Sequence, residues 1–228
     1  MVKVDVWWAP AGVSDISHPL LSSRERTRLA SITAPDARTE SMSGAVLLRM
    51  AVAERASVRP ADVRVSRTCP DCDRWHGRPE LPDFPDLDVS VTHAGGVVGV
   101  AVVDAGRRVG IDLERIADAP NVLNPALLKL AAHPYERAAL LHSDNVRRSF
   151  STMWVRKEAA TKLLGSGIRL PFSELDARRS PIPHDPPIWI QPLLRGNGHF
   201  AAALAADFDI STITISEHPS QLTQTDRN

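Results

Sequence analysis

The chain has 228 residues, enough to bury a full core as one larger domain or two small ones. Its 27 basic and 27 acidic residues cancel, so bulk charge gives no support to a nucleic-acid or membrane-surface partner. No run approaches the roughly 20 apolar residues needed to span a bilayer, and the start lacks the continuous apolar core of a signal peptide, so a cytoplasmic protein is expected. Met1 to Trp8 alternates like a strand. Ser22 and Glu25 have the spacing of a capping box and open a short helix to about Ile32. A longer helix follows Pro35, with Val46, Met50 and Ala53 on one stripe and Leu47 beside it, and ends near Ser57. Val63 to Val65 is read as a strand leading into a loop with Cys69 and Cys72. A proline-rich loop continues through His76-Gly77-Arg78-Pro79 as far as Pro85. Leu87 to Thr92 and Val97 to Val103 form a hairpin across Gly95-Gly96, with His93 at the end of its first strand. Val109 to Ile116 is the next strand.

From Ala117 to Asn145 the pattern is looser, with helix starts at Asn124-Pro125 and His133-Pro134. A helix from about Asn145 to Leu164 is stopped by Gly165. After a proline-broken loop, Ser180 to Pro187, Ile188 to Ile190 and His199 to Ala206 form a hairpin across Gly196-Asn197-Gly198. Ile210 to Ile215 is a last strand, and the polar end from His218 is read as a frayed tail. Val97 to Asp104 and His199 to Asp207 are both small-residue strands after a glycine turn. That weak repeat suggests two similar α+β halves, 1–107 and 108–228, with a cleft between them.

The stretch Val109-Gly110-Ile111-Asp112-Leu113-Glu114 concentrates the chemistry. Side chains alternate across a strand, so Asp112 and Glu114 face the same way. Two carboxylates on one side of a buried strand repel unless a cation or donor sits between them. On the later helix a four-residue spacing lines up Trp154, Glu158 and Lys162. Three acids and a lysine from two elements suit a hard metal ion that also grips a phosphate. By themselves the strand acids also fit a solvated rim, and Glu158 with Lys162 fits a surface pair of a few tenths of a kcal/mol. Cys69 and Cys72, with His76 four residues on, read either as a reduced pair in a hairpin loop or as half a zinc knuckle. A structural zinc needs about four ligands, and no second CxxC follows.

Taken together, Gly77-Arg78-Pro79, Thr92-His93, Gly110-Ile111-Asp112-Leu113-Glu114 and Trp154 to Lys162 resemble the phosphopantetheinyl transferases of the surfactin-synthetase-activating type. Order and spacing agree over roughly residues 20 to 207, and Gly165-Ser166-Gly167-Ile168 matches the glycine turn that follows. The resemblance implies a pseudodimer of two α+β halves with the active site in the cleft. It implies transfer of the phosphopantetheine arm of coenzyme A to a serine of an apo acyl or peptidyl carrier protein by a monomer, with release of adenosine 3′,5′-bisphosphate. Asp112, Glu114 and Glu158 would hold Mg²⁺, with Glu158 or a metal-bound water taking the serine proton. Lys162 would contact the pyrophosphate. Thr92 and His93 would reach a coenzyme A phosphate, and Gly77, Arg78 and Pro79 would line the adenine end. The chain departs from the family where an arginine is usual in the second helix, since Ser41 stands there with Arg38 one turn earlier. Ala94 likewise replaces a hydroxyl residue after His93. Arg24, Arg28, Arg38 and Arg49 are the candidates for the 3′-phosphate. Two other readings stand beside this one: a catalytically silent coenzyme A-binding regulatory module, and a zinc-stabilised interaction protein built on the cysteine loop. Leu127, Leu128 and Leu130 are a candidate docking surface.

Overall fold

The first strand, β1 (Val4–Pro10), runs between two partners of opposite sense. It is antiparallel to β5 (Val97–Val103), with Val4 opposite Val103 and Trp8 opposite Gly99. It is parallel to β9 (Ile215–Pro219), with Val4 opposite Ile215. β4 (Asp88–Ala94) closes a hairpin on β5 and gives the order β4-β5-β1-β9. This computed structural model describes residues 2–69, 71, 72, 74–104, 106–166, 169–193, 198–210, 215–219 and 222. The chain divides into two units, Met1–Arg107 with Thr214–Asn228, and Arg108–Ile213. Residues 215–219 therefore pair in the sheet of the first unit, whereas the sequence pattern put them in the second half. The tail read from His218 onward falls mostly outside the described residues.

In the first unit, Ser22 caps α1 (Ser23–Ala30) through the expected capping box with Glu25. α2 (Pro35–Ala56) ends on Ser57 in a left-handed conformation. It is no single-stripe helix. Met42 to Arg49 are buried without a break, because α2 is packed against β4 and β5 as well as α1. Val63 to Val65, expected as a strand, follow a turn of 3-10 helix over Pro60–Asp62 and form no regular structure. The strand β2 is instead Ser66–Thr68, and it pairs with β3 (Trp75–Glu80) in a separate two-stranded ribbon. Gly77, Arg78 and Pro79 thus lie on a strand and not in a loop. Pro79 is tolerated because a two-stranded ribbon leaves one edge of β3 without a ladder.

The second unit is a three-stranded antiparallel sheet of β6 (Val109–Arg115), β7 (Trp189–Leu193) and β8 (Phe200–Ala206), in the order β6-β8-β7. α3 (Pro125–Ala131) and α4 (Pro134–Leu141) precede α5 (Val146–Leu164), which packs on β6 and β8. Ala201, Ala203 and Ala205 of β8 join Val155, Ala159, Ala160 and Leu163 of α5 in one apolar cluster. Side chains this small bring helix and sheet backbones close together. The expected strand over Ile210 to Ile215 falls mostly outside the described residues, as do Gly167, Ile168, Gly196 and Asn197. Among the described residues, no helix is long and apolar enough to cross a membrane.

Candidate active site

The site is set by where α5 crosses β6. A Cβ on Gly110 would stand 2.0 Å from the Ala159 carbonyl oxygen and 2.6 Å from the Leu163 amide nitrogen. Only glycine lets a helix backbone lie against a strand at that distance. The crossing carries Glu158 and Lys162 over the strand that presents Asp112 and Glu114. Gly110→Ala is expected to destabilise the chain by at least about 1–3 kcal/mol, the usual cost of overpacking. Urea unfolding would read this, and a wild-type midpoint would contradict the close crossing.

Lys162 and Glu158 are not a helix-surface pair. The Lys162 ammonium reaches across to β6, donating to Asp112 Oδ1 at 2.6 Å and to the Ile111 carbonyl at 3.1 Å. Asp112 is buried, and Lys162, Glu114 and Glu158 are half-buried. Burial is the main cause that pushes the Glu114 carboxyl up to about 7. The negative charges of Asp112 and Glu158 add to it, while Lys162 and a hydrogen bond from the Trp154 side chain pull it back. Glu158 is also raised, first by burial and then by Asp112, against the pull of Lys162. Neighbouring negative charge thus adds to burial in raising Glu114 and Glu158, and the Lys162 ammonium offsets part of both shifts. Trp154 belongs to this site as well as to the packing around it. Its ring packs between Phe150 and Phe172, at centroid distances of 6.0 Å and 5.1 Å, and it donates to Glu114. An indole on the acid face of α5 was the available signal.

The shift on Glu114 has a measurable consequence. Its carboxyl ordinarily titrates at 4.5 and does so at about 7 in the folded chain. Below 4.5 both states are protonated and nothing is lost. Between 4.5 and about 7 the unfolded chain ionises first, so metal-free stability falls as pH rises. Glu114→Gln should flatten that decline, melting higher than wild type at pH values above the window and equally below it. Thermal melts in chelator across the range test this, and parallel curves would refute it.

In the first unit the structure gathers a second set of groups. Thr92 is buried, and His93 next to it is exposed. His93 Nδ1 lies 3.1 Å from Glu40 Oε2 and its Nε2 lies 3.5 Å from Ser41 Oγ. Glu40 Oε1 accepts from the Gly96 amide at 2.7 Å, which ties α2 to the β4–β5 turn. Glu40 was missed from sequence because it belongs to no motif. The place where the family usually carries arginine, Ser41, is thus beside His93. Arg38 is half-buried in the first turn of α2. Arg78 is committed to a two-pronged ion pair with Asp88 of β4, so its charge holds β3 in place. Arg49 is removed from the phosphate candidates. It is buried and donates to both Glu25 oxygens at 2.8 Å, where Glu25 also accepts from the Ser22 amide. Arg67 shares that neighbourhood, half-buried, and its guanidinium is pushed down to about 10 by burial and then by Arg28. Its Nη1 lies 3.5 Å from the Gly77 carbonyl. A Cβ on Gly77 would meet the Thr68 carbonyl at 2.8 Å, so glycine there permits the ribbon to close.

Residues 108–213 match the family model described as the 4′-phosphopantetheinyl transferase superfamily. That stretch, somewhat under half of the chain, carries the likeness to the superfamily. The matched stretch holds Asp112, Glu114, Trp154, Glu158 and Lys162, and the chain is similar to transferases of the surfactin-synthetase-activating type. It is 26% identical over 171 residues to 4′-phosphopantetheinyl transferase ffp of Bacillus subtilis, covering 69% of this chain and 71% of that protein. It is 26% identical over 175 residues to 4′-phosphopantetheinyl transferase Sfp of Bacillus subtilis strain 168, again 69% and 71%. With 4′-phosphopantetheinyl transferase psf-1 of Bacillus pumilus it shares 31% identity over 145 residues, 64% of this chain and 58% of that one. The transferase matches thus extend beyond residues 108–213 in length.

Proposed function

We propose that this enzyme moves the 4′-phosphopantetheine arm of coenzyme A to a serine hydroxyl of an apo acyl or peptidyl carrier protein. The proposal includes Mg²⁺ dependence, release of adenosine 3′,5′-bisphosphate, and action as a cytoplasmic monomer. It also includes a pseudodimer of two α+β halves that hold coenzyme A between them. The observation that carries it is the cluster of Asp112, Glu114 and Glu158 with Lys162 bound to Asp112.

The donors fit a magnesium ion: they are hard carboxylate oxygens, and burial, then neighbouring negative charge, raises two of them. Asp112, Glu114 and Glu158 would hold it, and when bound it neutralises charge on the pyrophosphate. The remaining chemistry belongs to the chain. The serine oxygen forms a bond to the phosphorus that bears the pantetheine arm, and the bridging P–O bond breaks. The leaving group departs as a phosphate monoester, and the Lys162 ammonium stabilises the charge that gathers there. Glu158, whose carboxyl is raised by burial, accepts the serine proton.

His93 and Thr92 would contact a phosphate of coenzyme A, and Gly77, Arg78 and Pro79 would line its adenine end. Arg24, Arg28 and Arg38 would remain the candidates to grip the 3′-phosphate, and Arg67, whose Nη1 lies 3.5 Å from the Gly77 carbonyl, joins them. The carrier protein would dock on the segment before α5, where Leu123 ahead of α3, Leu130 of α3 and Leu141 of α4 are at least half exposed. Leu128 is core and drops out of that surface. A groove of about 210 Å³ lined by Leu127, Phe150 and Trp154 opens there beside Glu114. The test is mass spectrometry of apo carrier proteins after incubation with coenzyme A, Mg²⁺ and the enzyme. A mass gain of one phosphopantetheine is expected. Tight binding of coenzyme A with no mass gain on any carrier would return the silent regulatory module.

A further inference from the structure

The β2–β3 ribbon stands outside both sheets. Two strands of three and six residues form a ribbon that is marginal in water without a staple. Arg78 and Asp88 tie its middle to β4. Its open end is the connection from Cys69 to Trp75, closed by a hydrogen bond from the Cys69 amide to the Arg74 carbonyl at 2.8 Å. At that end one ligand atom each of Cys69, Cys72 and His76 lie within 4.8 Å of one another. Cys72 Sγ is 3.0 Å from His76 Nε2. Asp71 Oδ2 is 3.8 Å from Cys69 Sγ.

We propose that Cys69, Cys72 and His76 bind one zinc ion that staples the end of the β2–β3 ribbon, with the Asp71 carboxylate in the fourth position. Zinc bonds of about 2.3 Å to sulfur and about 2.0–2.1 Å to nitrogen or oxygen give tetrahedral edges of roughly 3.5–3.8 Å. The 3.0 Å and 3.8 Å separations lie near those edges, and the Cys69, Cys72 and His76 atoms are mutually within 4.8 Å, so side-chain rotation can close these three on one ion with Asp71 swinging in from beside Cys69. Two thiolates and an imidazole select zinc over the hard ions that suit Asp112, Glu114 and Glu158. Binding displaces the two thiol protons to solvent, so the two thiolates balance the metal's charge and the carboxylate leaves the site with one net negative charge. The spacing lacked a second pair of ligands in sequence. The fold supplies the third from β3 and a carboxylate from within the connection. The staple sits immediately before Gly77-Arg78-Pro79 and holds that strand against β2.

The test uses the full chain, purified without chelator and kept reduced. Elemental analysis should find one zinc per chain. After removal of zinc, titration with Co²⁺ should give a thiolate-to-cobalt charge-transfer band in the near ultraviolet. Cys72→Ser and His76→Ala, both at exposed positions, should lose the zinc and weaken or abolish the band. Asp112→Asn should keep both, which separates this site from the carboxylate cluster. Wild-type protein with free thiols, no zinc and no cobalt band would overturn the proposal. So would zinc that survives Cys72→Ser and His76→Ala but is lost in Asp112→Asn.

Discussion

Lys162→Met should lower turnover by at least about 10²-fold, because it removes a fixed cation from the place where leaving-group charge develops. In the metal-free protein it should also lower the melting temperature, since Asp112 loses the ammonium 2.6 Å from its Oδ1 while remaining buried beside other acids. Saturating Mg²⁺ should restore melting temperature more fully than turnover. Lys162→Arg should recover only part of the rate, since a planar fork does not reproduce a compact ammonium donating to two oxygens. Glu158→Gln keeps the shape and removes the charge, so apparent magnesium affinity should weaken. The rate at saturating magnesium should stay depressed because the proton acceptor is lost as well. The measurement is turnover against magnesium concentration for wild type and the three variants. Wild-type curves for all of them would show that the cluster is an ordinary ion pair.

These groups were legible in the sequence because their chemistry is local and periodic. Strand alternation put Asp112 and Glu114 on one face, and helical spacing put Glu158 and Lys162 on another. What periodicity could not show was which face meets which. Gly110 decides that, since its missing side chain sets the crossing of α5 over β6. The i,i+4 reading of Glu158 with Lys162 was incomplete for the same reason, as Lys162 turns to Asp112 fifty residues away. The hairpin β4–β5, the capping box at Ser22 and the ends of α5 follow from turn and cap residues, and they stand where expected. The β2–β3 ribbon was misread because Pro79 and the prolines after it resemble a loop, while the pairing that makes it a strand is spread over residues 66 to 80. Glu40 could not be found at all. Its role arises only when α2 lies against the β4–β5 turn.

Lys157, the lysine immediately before Glu158, gives the second large effect, and it should fall on stability. Its side chain is fully buried and its Nζ lies 2.5 Å from Glu136 Oε2. It also donates to the Ala131 carbonyl at 2.8 Å and the Phe172 carbonyl at 2.6 Å. Glu136 in turn accepts from the His133 amide at 2.8 Å and the Ala177 amide at 2.7 Å. One buried pair therefore joins α5 to the end of α3, the start of α4 and the Phe172 and Ala177 segments. Burial pushes the Lys157 ammonium pKa down, and Glu136 offsets part of that. Replacing the lysine strands a buried carboxylate and two carbonyls, a loss of about 3–5 kcal/mol. For a chain of this size that is a fall of roughly 6–20 °C in melting temperature. The double variant Lys157→Met with Glu136→Gln should be more stable than the sum of the two single losses predicts, because the second change removes the stranded charge. Strictly additive losses, or a single-variant cost below about 1 kcal/mol, would mean the pair is not coupled in the folded chain. Turnover per folded molecule should survive in Lys157→Met at low temperature, which is how a structural lysine is told from Lys162 five residues on.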